Sequence, residues 1–390
     1  MSDSNYPRRI LIIETGGWGG ICHYTYNLAN NLAQTSKSSQ VTLLSNKNYE
    51  LLDWPRHFDL IQKFDIIKLS YFSNVLFLLK SFFSVKPDVI HIQSILIPRK
   101  DWLLFLIARI LNVPLIYTVH NILPHEEGEK NARGLKFAFT IIYQSAKRLI
   151  VHSDSNKHEL AQLFKINPSK ISIIRHGDYS FILPKAPLSA DKCRKELNLH
   201  KTDRIILFFG TIRRYKGIDD LIRAFKIIAD KRTDTILLIV GKATAIGEES
   251  PVSEYQNLVS QLQLENQVIF RSEYIALRDI YKYFIASDVA VYPYTDTTES
   301  GALQLALACS KPVIATDVGS FSDAIENGKN GYLIPARNST KLSKYLLKML
   351  ELDVKELRQM GNHSKYIADT KYSWLKIALK THLLYQSVIR

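Results

Sequence analysis

Short, almost wholly apolar runs recur along the chain, each ended by a polar or glycine-rich turn and followed by residues at helical spacing. In the first half these runs are 9–13, 41–44, 66–69, 89–92, 115–119, 149–151 and 171–174. Between them Ile21, Tyr24, Leu28 and Leu32 fall on one stripe of a helix, and 135–145 and 157–164 carry the same period. Buried strands alternating with helices predict a parallel sheet covered on both faces. The second half repeats the scheme, with strands at 205–209, 235–240, 268–270, 289–292, 313–315 and 332–334 and helices at 218–229 and 339–352. Helical spacing then continues to the end of the chain, its last segment at 374–389.

The step from Pro293 to Gly319 is the most informative. A polar turn follows strand 289–292, and a short helix opens at Ser300-Gly301 with Leu303, Ala306 and Leu307 on its apolar face. Lys311-Pro312 break it before the next strand. The first turn of a helix leaves N–H groups without partners, and a glycine beside them lets a ligand approach. Such a corner suits a phosphate or diphosphate, although any doubly wound domain also has capped corners of this kind.

A chain of 390 residues is too long for one ordinary core and points to two domains. Segment 178–201, with Pro184 and Pro187, reads as the connection, giving an N-terminal domain over 1–180, rejoined by a last helix over 373–390, and a second over 181–372. The three cysteines are far apart, so neither a disulfide framework nor a zinc site is expected, which fits a reducing cytoplasm. No secretion signal opens the chain, and no run of 18 apolar residues is present, so a cytoplasmic protein without a spanning helix is expected.

The net charge of +14 favours anionic partners. Nucleic acid is disfavoured, because there is no zinc-finger spacing and no basic strand rich in aromatics. Stretches 71–85 and 102–111 are apolar and edged by Lys80, Lys86, Arg99, Lys100 and Arg109. They fit either helices of the first domain's core or helices lying on an anionic membrane surface.

Open parallel sheets keep their sites at strand C-termini. Gly16-Gly17-Trp18-Gly19-Gly20 follows the first strand, but the spacing is not G-x-G-x-x-G and no acid ends the next strand, which disfavours a dinucleotide. His91, His120, His152 and His176 end four strands in turn, with His120 the strongest candidate to touch substrate. In the second domain Gly210 and Gly217 bound a turn holding Arg213, Arg214 and Lys216, while Gly241 and Tyr274 stand in the turns after the next strands.

Together GGWGGICHYTYNLANNLA, YTVHNILPHE, KISIIRHG, FFGTIRRYKGIDDLIRAF, SGALQLALACSKPVIATDVG and ENGKNGYLIP resemble the family 4, or group 1, retaining glycosyltransferases over nearly the whole chain. The resemblance implies an α/β GT-B fold, two Rossmann-like, doubly wound parallel-sheet domains facing across a cleft. It also implies a hexosyltransferase using a UDP-, GDP- or ADP-sugar and a glycan, lipid-linked or small-molecule acceptor, as in polysaccharide or glycoconjugate synthesis. Donor contacts would come from Gly19, Gly20, Gly210, Arg213, Lys216, Gly241, Tyr274, Glu299, Ser300, Gly301 and Leu303. His120, Arg213 and Lys216 would be catalytic, with no cofactor and no metal. Two departures stand out: Thr297 and Leu305 occupy the places of the family's paired glutamates, and Thr211 that of an arginine. Glu299 and Arg213 are the nearest substitutes. A nucleotide-sugar epimerase of the same fold and a non-catalytic partner subunit are the alternatives.

Overall fold

The structure is a computed structural model and describes residues 9–35, 39–64, 71–94, 112–122, 129–184, 186, 188–243, 251–297 and 300–389. The expected strand at 66–69, the apolar stretch at 102–111 and Glu299 lie outside these residues. The chain divides into two compact units, Met1–Gly177 with Tyr372–Arg390, and Asp178–Lys371.

The first unit holds a seven-stranded parallel sheet in the order β3-β2-β1-β4-β5-β6-β7. Its strands are β1 Arg9–Ile13, β2 Gln40–Asn46, β3 Asp59–Phe64, β4 Val89–Ile92, β5 Leu115–Thr118, β6 Arg148–Val151 and β7 Ile171–Ile173. The strand at Asp59–Phe64 was not expected from the apolar pattern. It lies at the sheet edge and is half exposed, so Asp59, Gln62 and Lys63 interrupt the apolar run that marks a central strand.

One face of this sheet buries Leu11, Ile13, Ile90, Ile92 and Val151 against α2 (Tyr71–Val85), α3 (Glu129–Ser145) and α4 (Asp154–Phe164), through Phe77, Phe139, Tyr143 and Phe164. α1 (Gly19–Thr35) packs against the last helix of the chain, Trp374–Gln386, so the C-terminus completes the first unit. Trp374 lies flat on Gly177, where a Cβ would stand 2.1 Å from the indole. Any side chain at 177 would expel that ring.

The second unit holds a six-stranded parallel sheet in the order β10-β9-β8-β11-β12-β13, in which β9 is Thr235–Val240, β10 Val268–Arg271, β12 Val313–Thr316 and β13 Gly331–Ile334. Its central strands β8 (Arg204–Phe209) and β11 (Val289–Tyr292) are buried along nearly their whole length, which explains their unbroken apolar runs. Both sheets change winding direction once, between β1 and β4 in the first and between β8 and β11 in the second. Open α/β sheets leave a crevice for ligands beyond the strand ends at such a point.

Candidate active site

At the second unit's switch point, two loops meet. Residues 210–217 follow β8 and end in a short 3-10 turn, Arg214–Lys216. Gly217 then takes φ 65°, and a Cβ there would stand 2.0 Å from the Pro293 carbonyl, so only glycine lets the loops touch. The Thr295 N–H donates to the Tyr215 carbonyl at 2.8 Å and ties them together. Beyond lies the helix Gly301–Ala308, capped by Ser300, whose hydroxyl accepts the Leu303 N–H. The Tyr292 hydroxyl donates to the Ala302 carbonyl at 2.6 Å and fixes the helix start to the end of β11.

Lys216 is the odd group in this corner. It is buried, with Nζ 3.6 Å from the centroid of the Tyr294 ring and 4.7 Å from that of Tyr215. Tyr294 in turn brings its hydroxyl within 3.4 Å of Ser300 Oγ. No carboxylate among the described residues pairs with the ammonium, so burial first and the charge of Arg213 second push its pKa down to about 7. The start of the helix Gly301–Ala308 thus shares a corner with a cation that no carboxylate among the described residues compensates. Arg213 is half buried in the same loop, whereas Arg214 turns outward into an exposed two-point pair with Glu254 at 2.6 and 2.8 Å.

In the first unit the strand-end histidines form one network. His91 contacts the Tyr385 hydroxyl through Nδ1 at 2.6 Å and Thr118 through Nε2 at 2.7 Å. Gln93 links His91 to His120, and His120 Nδ1 stands 3.2 Å from His152 Nε2. His152 Nδ1 faces the Ile174 carbonyl at 2.8 Å, so in the neutral ring the proton sits on Nδ1. His120 Nε2 stands 3.0 Å from the Gln93 side-chain oxygen, an acceptor, so this ring nitrogen donates to it. Burial depresses the pKa of His91 and His152 to about 3 and that of His176 to about 4. His120, also lowered, is the one of the four that keeps some exposure. Tyr24 sits among them, its ring 4.9–5.2 Å from His120, His152, His176 and Trp374.

These two switch-point sites lie in segments that match known families. Residues 18–177 match the model described as Glycosyltransferase Family 4, and 189–366 the one described as Glycosyl transferases group 1. The chain is a group 1 glycosyltransferase of family 4. Curated relatives include the D-inositol 3-phosphate glycosyltransferases of Corynebacterium aurimucosum, 25% identical over 82% of this chain and 76% of that one, and Thermobispora bispora, 26% identical over 68% and 62%. Among solved structures, HepE of Anabaena with UDP and glucose superposes at TM-score 0.78, 20% identical over 97% of this chain and all of that one. Sucrose-phosphate synthase of Thermosynechococcus elongatus gives 0.75 and 21% over 97% and 98%. The fold is GT-B.

The glycosyltransferase draws Gly210, Lys216, Ser300 and Gly301 into one corner: a Cβ on Gly210 would lie 3.6 Å from the Tyr294 hydroxyl. Gly241 serves the fold, since a Cβ there would meet the Gly210 carbonyl at 1.9 Å. The Leu303 side chain is buried and its N–H is taken by the Ser300 cap, so it has little to offer a ligand. Tyr274 follows the edge strand β10 (Val268–Arg271), remote in the sheet order from the β8–β11 switch point. Thr297 and Leu305, at the places of the family's glutamates, are both buried. Gly19 and Gly20 open α1, and the Gly19 N–H donates to Glu50 at 2.9 Å.

Sequence reasoning missed Glu14, Glu50, Tyr24 and Tyr294. For Glu14 a signal existed, a carboxylate ending an apolar strand directly before a glycine turn. Tyr294 carried none beyond its place after a strand, because stacking under a lysine leaves no periodic trace.

Proposed function

We propose that the enzyme transfers a hexosyl group from a nucleoside diphosphate sugar to a glycan, lipid-linked or small-molecule acceptor, with retention of configuration and without a metal. The observation that carries this is Lys216, buried and paired with no carboxylate among the described residues, beside the start of the helix Gly301–Ala308. When the glycosidic bond breaks, charge grows on the leaving diphosphate, and an ammonium and a helix start placed beforehand stabilise it. HepE has been solved with UDP-glucose, which supports a donor of this class. His120, neutral with both ring nitrogens engaged by Gln93 and His152, is suited to shaping the sugar side of the site rather than to carrying charge.

A thermal-shift panel with UDP, GDP and ADP in chelator tests the donor reading. The matching nucleotide, at 100 times its Kd, should stabilise the fold by about 2.7 kcal/mol. Because Lys216 loses its proton near pH 7, affinity should weaken from pH 6 to 8.5 in the wild type and stay flat in Lys216→Arg. A requirement for added Mn²⁺ or Mg²⁺ would sink the metal-free part.

We also propose that the first unit rests on an anionic membrane surface through α2. Leu76 and Phe83 on that helix are 54% and 62% exposed, with Lys80 on the same face. No helix among the described residues is long and apolar enough to cross a bilayer. Wild type should sediment with vesicles containing phosphatidylglycerol and less with neutral ones, and Leu76→Ser/Phe83→Ser should stay in the supernatant. Equal recovery on both lipids would remove the idea.

A further inference from the structure

We infer that the glycine turn of the first unit is a seat for an uncharged sugar of the acceptor, with Trp18 as its stacking platform, and that it refuses a phosphorylated acceptor. This rests on the acceptor side of the reading above. Three of the turn's N–H donors, those of Gly16, Gly17 and Gly19, are already committed to carboxylates. Glu14, 1% exposed, accepts the N–H of Gly16 at 2.8 Å and that of Gly17 at 2.9 Å, and the hydroxyls of Ser45 and Ser94 at 3.0 and 3.3 Å. All of these partners are neutral, so the carboxyl sits desolvated under the turn with its pKa raised by burial.

At the start of α1, where a helix would otherwise attract a phosphate, Glu50 holds the place. Its Oε2 accepts the Gly19 N–H at 2.9 Å and contacts His23 Nε2 at 3.0 Å. A phosphorylated ligand arriving there would meet a carboxylate in the position it needs. Building repulsion into a site is an effective way to refuse a competitor.

What the turn does present is Trp18, 61% exposed although its neighbours are clamped. The Glu50 N–H donates to the Gly17 carbonyl at 2.8 Å before the indole, and the Gly19 N–H donates to the Glu50 carboxylate at 2.9 Å after it, which hold the backbone on both sides of Trp18. A rigid aromatic face in water matches the C–H face of a pyranose ring, and little ordering entropy opposes the contact. The relatives named for D-inositol 3-phosphate act on a phosphorylated acceptor, so this chain should differ from them.

Saturation-transfer NMR on the full chain without donor tests this, using methyl α-glucoside, galactoside and mannoside, the corresponding disaccharides, and glucose, galactose and mannose 6-phosphates. At least one neutral glycoside should take up saturation and the phosphates should not. Trp18→Ala should abolish the signal and Trp18→Phe keep most of it. Glu50→Gln retains an acceptor for Gly19 but removes the charge, and should admit the phosphates. In turnover, Trp18→Ala should raise acceptor KM at least tenfold while donor KM moves less than twofold. Preference for the phosphates, no binding by any neutral glycoside, or an unaltered Trp18→Ala would each overturn the inference. A nucleotide panel without a hit would instead remove the donor reading and leave these outcomes standing.

Discussion

Lys216→Ala should lower kcat by about two to three orders of magnitude, the loss typical of removing one donor to a developing oxyanion. Nucleotide affinity should fall less, because the interaction strengthens as charge accumulates on the leaving group. Arg213→Ala should behave similarly, and Arg213→Lys should recover only part, since a point charge replaces a planar fork. Arg214→Ala supplies the control: its side chain is 57% exposed and engaged with Glu254, so the change should be close to silent. Removing Lys216 also relieves a buried charge that no carboxylate among the described residues pairs, so the variant should be at least as stable as wild type, which separates lost chemistry from lost folding. Full turnover in Lys216→Ala together with its loss in Arg214→Ala would show that the loop acts through a different residue. If all three were silent, the diphosphate seat would lie elsewhere.

A second large effect is expected in mild acid. His91, His152 and His176 are neutral in the fold with pKa values of about 3, 3 and 4, while in the unfolded chain each titrates near 6.5. Between these limits the unfolded state binds more protons, so stability is intact above pH 6.5 and falls as the pH drops. From pH 7 to 5.5 each such histidine costs about 1.3 kcal/mol, and the three together about 4 kcal/mol. Glu14 and Asp178 act in the opposite sense, since burial raises their pKa and their protonation in acid relieves a desolvated charge. Urea midpoints at pH 7 and 5.5 measure the balance. The histidine account requires a clear fall, with a smaller fall in His152→Gln than in wild type. Equal midpoints would show that the network accepts protons.

How much of this was legible depends on what makes each feature. Strands buried on both faces, such as β8 and β11, must be apolar throughout, and their positions were readable directly. The edge strand β3 was not, because exposure lets Asp59 and Lys63 into it. The Lys216 loop and the Ser300 helix start were identifiable because glycine and capping residues have positional meaning. That the two share a corner depends on Tyr294 lying between them, a packing relation that no spacing encodes. The histidines were visible singly as strand ends. Their union depends on Tyr24 from α1 and Tyr385 near the C-terminus, far apart in sequence.

The seating of Trp374 on Gly177 has a consequence for synthesis. A ribosome delivers the first unit's sheet early but withholds the helix that closes it until all of residues 178–371 have been made. At roughly 5–20 residues per second that interval is about 10–40 s, during which Tyr24 and the face of α1 awaiting the last helix stand open to solvent and to chaperones. The second unit, contiguous in sequence, has no such wait. Nascent chains stalled before residue 372 should therefore carry a protease-resistant second unit and a first unit that is still cleaved.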